Sequence, residues 1–215
     1  MEKEYSISEI YGNDKSAIIT QKIRYEKLKN KFSEVFGYKP YEFFSSPGRT
    51  EISGNHTDHN RGKVIAASIN LDSIAAAAKH NEHIKIFSDG YESPFEVDLN
   101  KLEICKSESG TTTALIRGIA AGFKQKGYKI GGFEAFITSD VLQGSGLSSS
   151  ASVEVLIGTI LNHFYNNAEI LPEEIAKISQ FSENKYFMKP CGLMDQMACA
   201  VGGIIGIDFK ETESP

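Results

Sequence analysis

The chain has 215 residues, of which 40% are hydrophobic, so it is long enough to bury a substantial core. Its formal net charge of −5 excludes a general attraction to nucleic acid or to an anionic membrane, so an anionic ligand would have to be held by local features. The charged N-terminus is not a secretory signal, and the most apolar run, residues 74–78, is too short to span a bilayer. The three cysteines show no metal-type pairing, and we expect a cytoplasmic protein.

The first predicted element is a long helix over residues 16–36, which several strands follow. Apolar residues recur along this helix at helical spacing, and they are Ile19, Ile23, Leu28, Phe32 and Val35. Gly37 is placed to end the helix. Strands are predicted where β-branched, aromatic and small residues cluster or alternate. These strands are residues 41–46, 63–80 (as one strand or two), 83–88 and 93–99.

The second half of the chain is predicted to be mainly helical. Helices are expected at residues 111–125, 149–164, 172–187 and 193–201, and strands at 131–141 and 202–209. Because strands cluster early and do not alternate regularly with helices, the order favours an α+β fold over a doubly wound sheet. In that fold a mixed sheet carries helices over one face. The sequence stops shortly after its last strand, so we expect it to be the first part of a longer fold.

The segment "SSPGRTEISGNHTDHNRG", residues 45–62, concentrates hydrogen-bonding side chains in a stretch with little apolar content. These side chains are Arg49, Glu51, Asn55, His56, Asp58 and His59. Taken alone, the segment allows a metal site, a sugar pocket or a solvated loop. A Zn²⁺ or Fe²⁺ site is disfavoured, because no fourth ligand cluster or HExxH-type helix accompanies His56, Asp58 and His59. Elsewhere His80, His83 and His163 are interpreted as surface or strand residues.

The segment "DVLQGSGLSSSASVEVLIG", residues 140–158, places two glycines before three serines and a predicted helix. Glycine lets backbone N–H groups approach oxygen atoms closely, and the N-terminus of a helix attracts negative charge. The pattern therefore predicts a phosphate cradle. It is not a Walker loop, because no lysine follows the glycines, and it lacks the third glycine of the dinucleotide fingerprint. The alternative is a serine-rich helix cap after a tight turn.

The segment "SENKYFMKPCGLMDQMACAVGG", residues 182–203, places polar side chains in apolar surroundings. Pro190 and Gly192 break one helix, and Asp195 and Gln196 then fall early in the next. The backbone N–H groups at the start of a helix stabilise a carboxylate at such a position, and the carboxylate stays ionised unless it is desolvated. Taken alone, Asp195 is interpreted as an ordinary capping acid, and Glu183 as a solvated surface acid.

Together and in this order, the three segments resemble the signature stretches of the N-terminal half of galactokinases, members of the GHMP kinase superfamily. "PGRTEISGNHTDHNRG" is similar to the galactokinase signature P-G-R-x-N-x-I-G-E-H-T-D-Y-N-x-G, and "LQGSGLSSSAS" is similar to the superfamily phosphate loop. "CGLMDQ" is similar to the galactokinase stretch C-G-I-M-D-Q. The resemblance covers about residues 40–210. It implies a GHMP-kinase N-terminal domain over residues 1–215, with a mixed, mainly antiparallel sheet and helices on one face. The C-terminal GHMP domain would lie outside this chain.

The resemblance also implies residue roles. Asp195 matches the catalytic aspartate, which accepts a proton from the C1 hydroxyl of the sugar or orients that hydroxyl, and Arg49 matches the arginine that pairs with it. Ser150 and Glu183 match Mg²⁺ ligands. The ATP-binding loop would comprise Gly144, Ser145, Gly146, Leu147, Ser148, Ser149 and Ser150. The substrate-binding residues would be Arg49, Glu51, Asn55, His56, Asp58, Gly192 and Asp195, with Asp58 accepting from a pair of ring hydroxyls.

The chain departs from the galactokinase signature at three positions. Glu51 stands where the family usually has Asn, Asn55 where it has the sugar-contacting Glu, and His59 where it has Tyr. If the segment is helical, Glu51 and Asn55 are neighbours on one face and the exchange preserves their pairing. A carboxylate only accepts hydrogen bonds, whereas an amide also donates them. The exchange therefore leaves undecided how the chain contacts one sugar hydroxyl, the one on C6.

The resulting hypothesis is a sugar kinase that transfers the γ-phosphoryl group of ATP to the C1 hydroxyl of galactose, with Mg²⁺. The alternatives are a kinase for another hexose, a non-catalytic galactose- and ATP-binding regulator, and an inactive fragment. The expected partners are galactose or a related hexose and ATP, with no nucleic acid and no membrane. The oligomeric state does not follow from the sequence.

Overall fold

The computed structural model describes residues 6–37 and 41–210, and for Asp58 and His59 it describes the backbone but not the side chains. The strands are β1 (Glu42–Ser53), β2 (Lys63–His80), β3 (His83–Ser88), β4 (Phe95–Asp98), β5 (Gly132–Ser139) and β6 (Ile204–Asp208). They form one sheet in the order β1-β2-β5-β3-β4, with β6 paired to the first part of β2. β3 and β5 are parallel and the other described pairs are antiparallel. The predicted mixed, mainly antiparallel sheet is confirmed.

The helices are α1 (Ile7–Tyr11), α2 (Lys15–Phe36), α3 (Thr112–Gln125), α4 (Ser149–Asn166), α5 (Pro172–Ser182) and α6 (Met194–Val201). Four of the predicted helices are confirmed to within two residues at each end. The fifth, predicted over residues 172–187, is an α-helix only to Ser182 and continues as a π-helical turn, Glu183–Phe187. Within the described ranges, no helix is both long enough and apolar enough to cross a membrane.

β2 is a single continuous strand, and its second half is buried on both faces. Ala75 and Ala77 belong to the main core beneath α3, α4 and α5, whereas Ile74, Ala76 and Ala78 face α2. Side chains alternate between the two faces of a strand, so a run of small residues lets helices pack closely on each side. The run of apolar residues in the sequence therefore marks the centre of the fold.

The prediction of helices over one face describes α3 to α6, and α2 adds a layer on the opposite face. Leu28 and Phe32 of α2 are fully buried against β2. Ile19 and Ile23, which belong to the same predicted apolar stripe, remain 59% and 53% exposed. Only the C-terminal part of α2 packs on the sheet, so its periodicity predicted the helix correctly but overestimated the length of its buried face.

The start of α4 is tied to the centre of the sheet. The Ser152 hydroxyl donates to the Ser46 carbonyl oxygen on β1 at 2.8 Å and lies 2.8 Å from the Ser73 hydroxyl on β2. Ser152 is fully buried, and hydrogen bonds of this kind fix the position of a helix more firmly than apolar contact alone. The loop that precedes α4 is thereby held beside β1.

Candidate active site

β1 carries Arg49 directly to the loop that precedes α4. The register between β1 and β2 shifts between Pro47 and Arg49, which redirects the strand at this point. The Arg49 backbone N–H donates to the Leu147 carbonyl oxygen at 3.1 Å. A Cβ atom on Gly48 would lie 2.8 Å from the same oxygen, so the close approach of strand and loop requires glycine at position 48.

Arg49, Asp195 and Ser148 form a hydrogen-bonded cluster from three separate segments. The Arg49 Nε donates to Asp195 Oδ1 at 2.8 Å, and its guanidinium also donates to the Gly146 carbonyl oxygen at 2.7 Å. The Ser148 hydroxyl donates to Asp195 Oδ2 at 2.6 Å. Each carboxylate oxygen of Asp195 is thus held, one by a cation and one by a hydroxyl. The structure brings together side chains that the sequence placed in three different motifs.

This environment keeps Asp195 ionised. Burial by itself would raise the pKa of the carboxyl group, but hydrogen bonds from Arg49 and Ser148, with the charges of Arg49 and His56, outweigh it. The pKa of Asp195 therefore lies below its usual value of 3.8. At neutral pH the group is a carboxylate that accepts hydrogen bonds, and a third of its side chain, 37%, remains exposed to incoming ligands.

The glycine-rich loop precedes α4 and has open space beside both of its glycines. Gly144 and Gly146 have φ angles of 75° and 76°, and a Cβ atom added to either would meet no atom within 4 Å. Ser148 also has a left-handed conformation, and its hydroxyl bonds to Asp195 instead of capping α4. No side-chain hydrogen bond from Ser148 caps the first turn of α4, and the phosphate cradle stays a prediction for this loop.

Ser150 and Glu183 lie next to each other behind the loop, with Lys189 beside them. Ser150 Oγ and Glu183 Oε1 are 3.5 Å apart, which is near the spacing of about 3 Å between adjacent ligands of Mg²⁺. A hydroxyl and a buried carboxylate, completed by phosphate oxygens and water, are a donor set that fits this ion. Lys189 Nζ lies 3.1 Å from the same Glu183 oxygen, and because its side chain is 62% exposed, it can move aside for a cation.

Residues 51–56 are not helical, so the condition under which Glu51 and Asn55 would be neighbours on one helix face is not met, and a 3-10 turn begins only at Thr57. β1 continues to Ser53, and Asn55 and His56 follow in a left-handed turn. Glu51 instead accepts the His56 backbone N–H at 3.0 Å and lies 3.0 Å from His56 Nε2. In an extended strand, residues four apart are separated by roughly 13 Å, too far for their side chains to pair. The Glu51 carboxylate therefore bonds to His56, in the turn that follows the strand.

The remaining sugar-site candidates lie around this turn and before α6. His56 is exposed, and its charge contributes to the lowered pKa of Asp195. Asn55 is exposed, Gly192 is half-buried beside Cys191, and the Asp58 side chain lies outside the described part of the structure. Cys191 is held by its backbone N–H, which donates to Asn184 Oδ1 at 2.7 Å.

Comparison with known proteins gives two family matches. Residues 114–203 match the GHMP kinases N terminal domain, and residues 30–79 match the galactokinase galactose-binding signature. The galactokinase of Streptococcus suis is 38% identical over 193 residues, which cover 88% of this chain and 49% of that protein. The galactokinase of Clostridium tetani is 33% identical over 176 residues, which cover 82% of this chain and 45% of that protein.

A solved structure shows the same relationship in three dimensions. The crystal structure of Lactococcus lactis galactokinase complexed with galactose superimposes with a TM-score of 0.81 at 33% identity, covering 87% of this chain and 50% of that one. The chain is homologous to galactokinases and carries the N-terminal domain of the GHMP kinases. It spans about half the length of the curated relatives it matches. The GHMP-kinase fold expected from the sequence is confirmed.

Two buried residues beside this site were not predicted as part of it. Gln196 donates through Nε2 to Glu183 Oε2 at 2.8 Å and to Glu154 Oε2 at 3.3 Å. Glu154 is fully buried, and its burial, followed by the charge of Glu183, raises its pKa well above the usual value. Glu154 lies four residues after Ser150 on α4, so helical spacing gave a signal for Glu154. Gln196 directly follows Asp195, and adjacent positions on a helix do not share a face, so spacing gave no signal for Gln196.

Proposed function

We propose that this chain is the sugar- and phosphate-binding part of a galactokinase, which transfers the γ-phosphoryl group of ATP to the C1 hydroxyl of galactose. The observation that carries the proposal is that Arg49 and Ser148 both donate hydrogen bonds to Asp195 beside the glycine-rich loop. It supports the proposal because an ionised carboxylate lies next to the loop proposed to hold phosphate, and phosphoryl transfer needs positioning and charge neutralisation above all.

In the proposed reaction, Asp195 accepts the proton of the C1 hydroxyl or orients that hydroxyl. The sugar oxygen forms a bond to the γ-phosphorus, the bond from that phosphorus to the bridging β–γ oxygen breaks, and ADP leaves with the electron pair. Arg49 offsets the negative charge of the transferring group and keeps Asp195 deprotonated until the hydroxyl arrives.

The ATP phosphates would lie against the loop from Gly144 to Ser150, where glycine backbone and the first turn of α4 offer N–H groups. Ser150 and Glu183 would hold Mg²⁺, which supplies charge neutralisation on the phosphate oxygens when bound. Gln196 and Lys189 both donate to the Glu183 carboxylate and so fix its position.

The sugar would lie between the turn at Asn55–Asp58 and the segment before α6. His56, Asp58 and Gly192 are the proposed contacts, and Glu51 would support His56 from behind. The Lactococcus lactis galactokinase structure, which is complexed with galactose, supports galactose as the sugar. We also propose that residues 1–215 form one domain, and that the rest of the length found in the relatives completes the cleft.

The test is galactose-dependent release of ADP, measured in a coupled assay on the protein that contains this chain, with ATP and Mg²⁺. Turnover with galactose supports the kinase. Binding of galactose and ATP without ADP release would reject it in favour of a non-catalytic regulator. Turnover with another hexose and not with galactose would keep the reaction and change the substrate.

A further inference from the structure

A cluster of two histidines and a glutamate lies at the end of the sheet remote from Arg49. One ligand atom from each of His80, His83 and Glu134 can be chosen so that all three lie within 4.8 Å of one another. The three residues are half-buried, so solvent reaches them while the surrounding sheet limits their movement. Nothing in the sequence connects the two histidines with Glu134, which follows them by some fifty positions.

The fold builds this cluster by passing the β2–β3 connection over the start of β5. β5 lies between β2 and β3, and His80 is opposite Gly132 in the register. A Cβ atom on Gly132 would lie 2.4 Å from the His83 carbonyl oxygen and 2.8 Å from that of His80. Only glycine permits this approach, so the closeness of the turn to β5 is a requirement of the packing and not an accident of loose side chains.

The side chains share one face of the sheet. Glu134 is opposite Ala78 on β2 and beside Lys85 on β3, and His80 lies two residues after Ala78, so both point to the same side. The rings of His80 and His83 are in contact, with centroids 4.3 Å apart. Lys85, the cation on this face, is neutralised by Glu96 at 2.6 Å, so it does not repel a bound cation strongly.

His80 presents a lone pair that a metal can take. The Glu82 backbone N–H donates to His80 Nδ1 at 3.3 Å, so Nδ1 carries the lone pair of the neutral ring. This bond is long, and a metal ion at Nδ1 would replace one weak hydrogen bond with a coordinate bond. Tetrahedral ligands of Zn²⁺ lie roughly 3.3 Å apart, a spacing that small rotations of these half-buried side chains can reach.

We propose that His80, His83 and Glu134 bind one divalent transition-metal ion, such as Zn²⁺, Co²⁺ or Ni²⁺, with water completing the coordination. Two imidazoles and a carboxylate suit these ions, whereas Mg²⁺ prefers oxygen ligands alone. The site is separate from the proposed kinase site. Arg49 pairs with Ser68 on β2, and His80 lies twelve residues further, up to roughly 40 Å along an extended strand.

Titration of the 215-residue chain with Co²⁺, followed by its visible spectrum, tests the proposal. Excess Mg²⁺ is present, so that oxygen sites such as that at Ser150 and Glu183 are occupied. We expect one Co²⁺ per chain and no thiolate charge-transfer band. His83→Ala and Glu134→Gln should each weaken binding by at least about tenfold, the lower end of the loss seen for groups that merely support metal ligands. Glu82→Gln, a change in the same turn at a residue that is not a proposed ligand, should bind Co²⁺ as the unchanged chain does.

Three results would overturn the proposal. They are absence of Co²⁺ binding, an affinity in both His83→Ala and Glu134→Gln equal to that of the unchanged chain, and a thiolate band that assigns the ion to a cysteine. Circular dichroism in the presence of a chelator establishes that each variant is folded. Glu134→Gln preserves the shape of the side chain and removes its carboxylate, so the Co²⁺ affinity of this variant tests the proposal if His83→Ala does not fold. Failure here leaves ADP release untouched, because no residue is shared with the kinase site.

Discussion

Arg49 and Asp195 are separated by 146 positions in the chain, and their side chains meet at 2.8 Å, from Nε to Oδ1. Arg49 comes from a strand and Asp195 from the first turn of α6, so the contact exists only when the sheet and the helical layer have packed together. It couples the ionisation of the proposed catalytic carboxylate to the integrity of the fold.

Asp195→Asn should abolish most of the phosphoryl transfer while leaving the fold intact. Asparagine keeps the shape and still accepts from Arg49, but it cannot take a proton, so kcat should fall by about 10²–10⁴-fold. The coupled ADP assay measures kcat, and thermal unfolding checks the fold. Asp208→Asn, which changes an exposed carboxylate paired with Lys63, is the matched control and should keep full turnover. Near-normal kcat in Asp195→Asn would remove Asp195 from the mechanism.

Arg49→Gln should make stability less dependent on acid pH. Because the pKa of Asp195 is lowered in the folded chain, its contact with Arg49 stabilises the fold above the ordinary value of 3.8. That contribution is lost as the pH falls through the lowered pKa. The free energy of unfolding of Arg49→Gln should therefore lie below that of the unchanged chain by about 1 kcal/mol near neutral pH, allowing for solvent screening, and the gap should close in acid.

Urea unfolding between neutral and acid pH measures this gap. In an Asp195→Asn background the same Arg49→Gln change should show no such pH dependence, since the titrating partner is gone. A gap that stays constant down to acid pH would mean that Arg49 contributes packing alone.

Gly146→Ala should weaken ATP binding by more than its cost in stability explains. The φ angle of 76° strains an alanine by about 1–2 kcal/mol, and the new methyl group would project into the open space beside the loop. Gly127→Ala is the control, because Gly127 has a φ angle of 81° and equally open surroundings but lies in the turn after α3. Calorimetric titration with ATP should show a loss of affinity in Gly146→Ala only. Equal affinities in the two variants would argue against a phosphate cradle at Gly146.

Gln196→Leu should destabilise the chain by about 1–3 kcal/mol, because it leaves two buried carboxyl groups without their shared donor. Gln196 is fully buried and donates to both Glu183 and Glu154. Gln180→Leu is the comparison, since the Gln180 amide donates to a single backbone carbonyl, that of Cys191, and should cost less. Urea denaturation gives both values. A smaller loss for Gln196→Leu than for Gln180→Leu would contradict the bridging role.

Exchanging Glu51 and Asn55 should sharpen discrimination against 6-deoxygalactose. The double variant Glu51→Asn, Asn55→Glu restores the usual galactokinase pattern and returns a carboxylate to the exposed turn. One charge-assisted hydrogen bond to the C6 hydroxyl would raise the ratio of kcat/KM for galactose over 6-deoxygalactose by about tenfold. Asn55→Glu alone places two carboxylates at the turn, so it should raise this ratio of kcat/KM values by less. An unchanged ratio in the double variant would show that residue 55 does not contact C6.

Much of the fold follows from local patterns in the sequence. Helical spacing predicted α2, α3, α4 and α6 because their buried faces repeat every three or four residues, and alternation predicted β3. The end of α5 was missed because the π-helical turn from Glu183 keeps an apolar pattern while its hydrogen bonds change. The continuation of β1 through residues 47–53 was missed because polar residues with a proline and a glycine resemble a loop, and only pairing with β2 makes them a strand.

By itself the sequence determined the resemblance to galactokinases, the glycine-rich loop and the identity of the candidate site residues, since these depend on residue types at fixed spacing. Only the tertiary structure decided which of them meet. It turned Glu51 to His56 instead of Asn55, added Gln196 and Glu154 behind Glu183, and gathered His80, His83 and Glu134 at one end of the sheet. Such contacts depend on how strands and helices pack across long separations in the chain, and local periodicity does not record that packing.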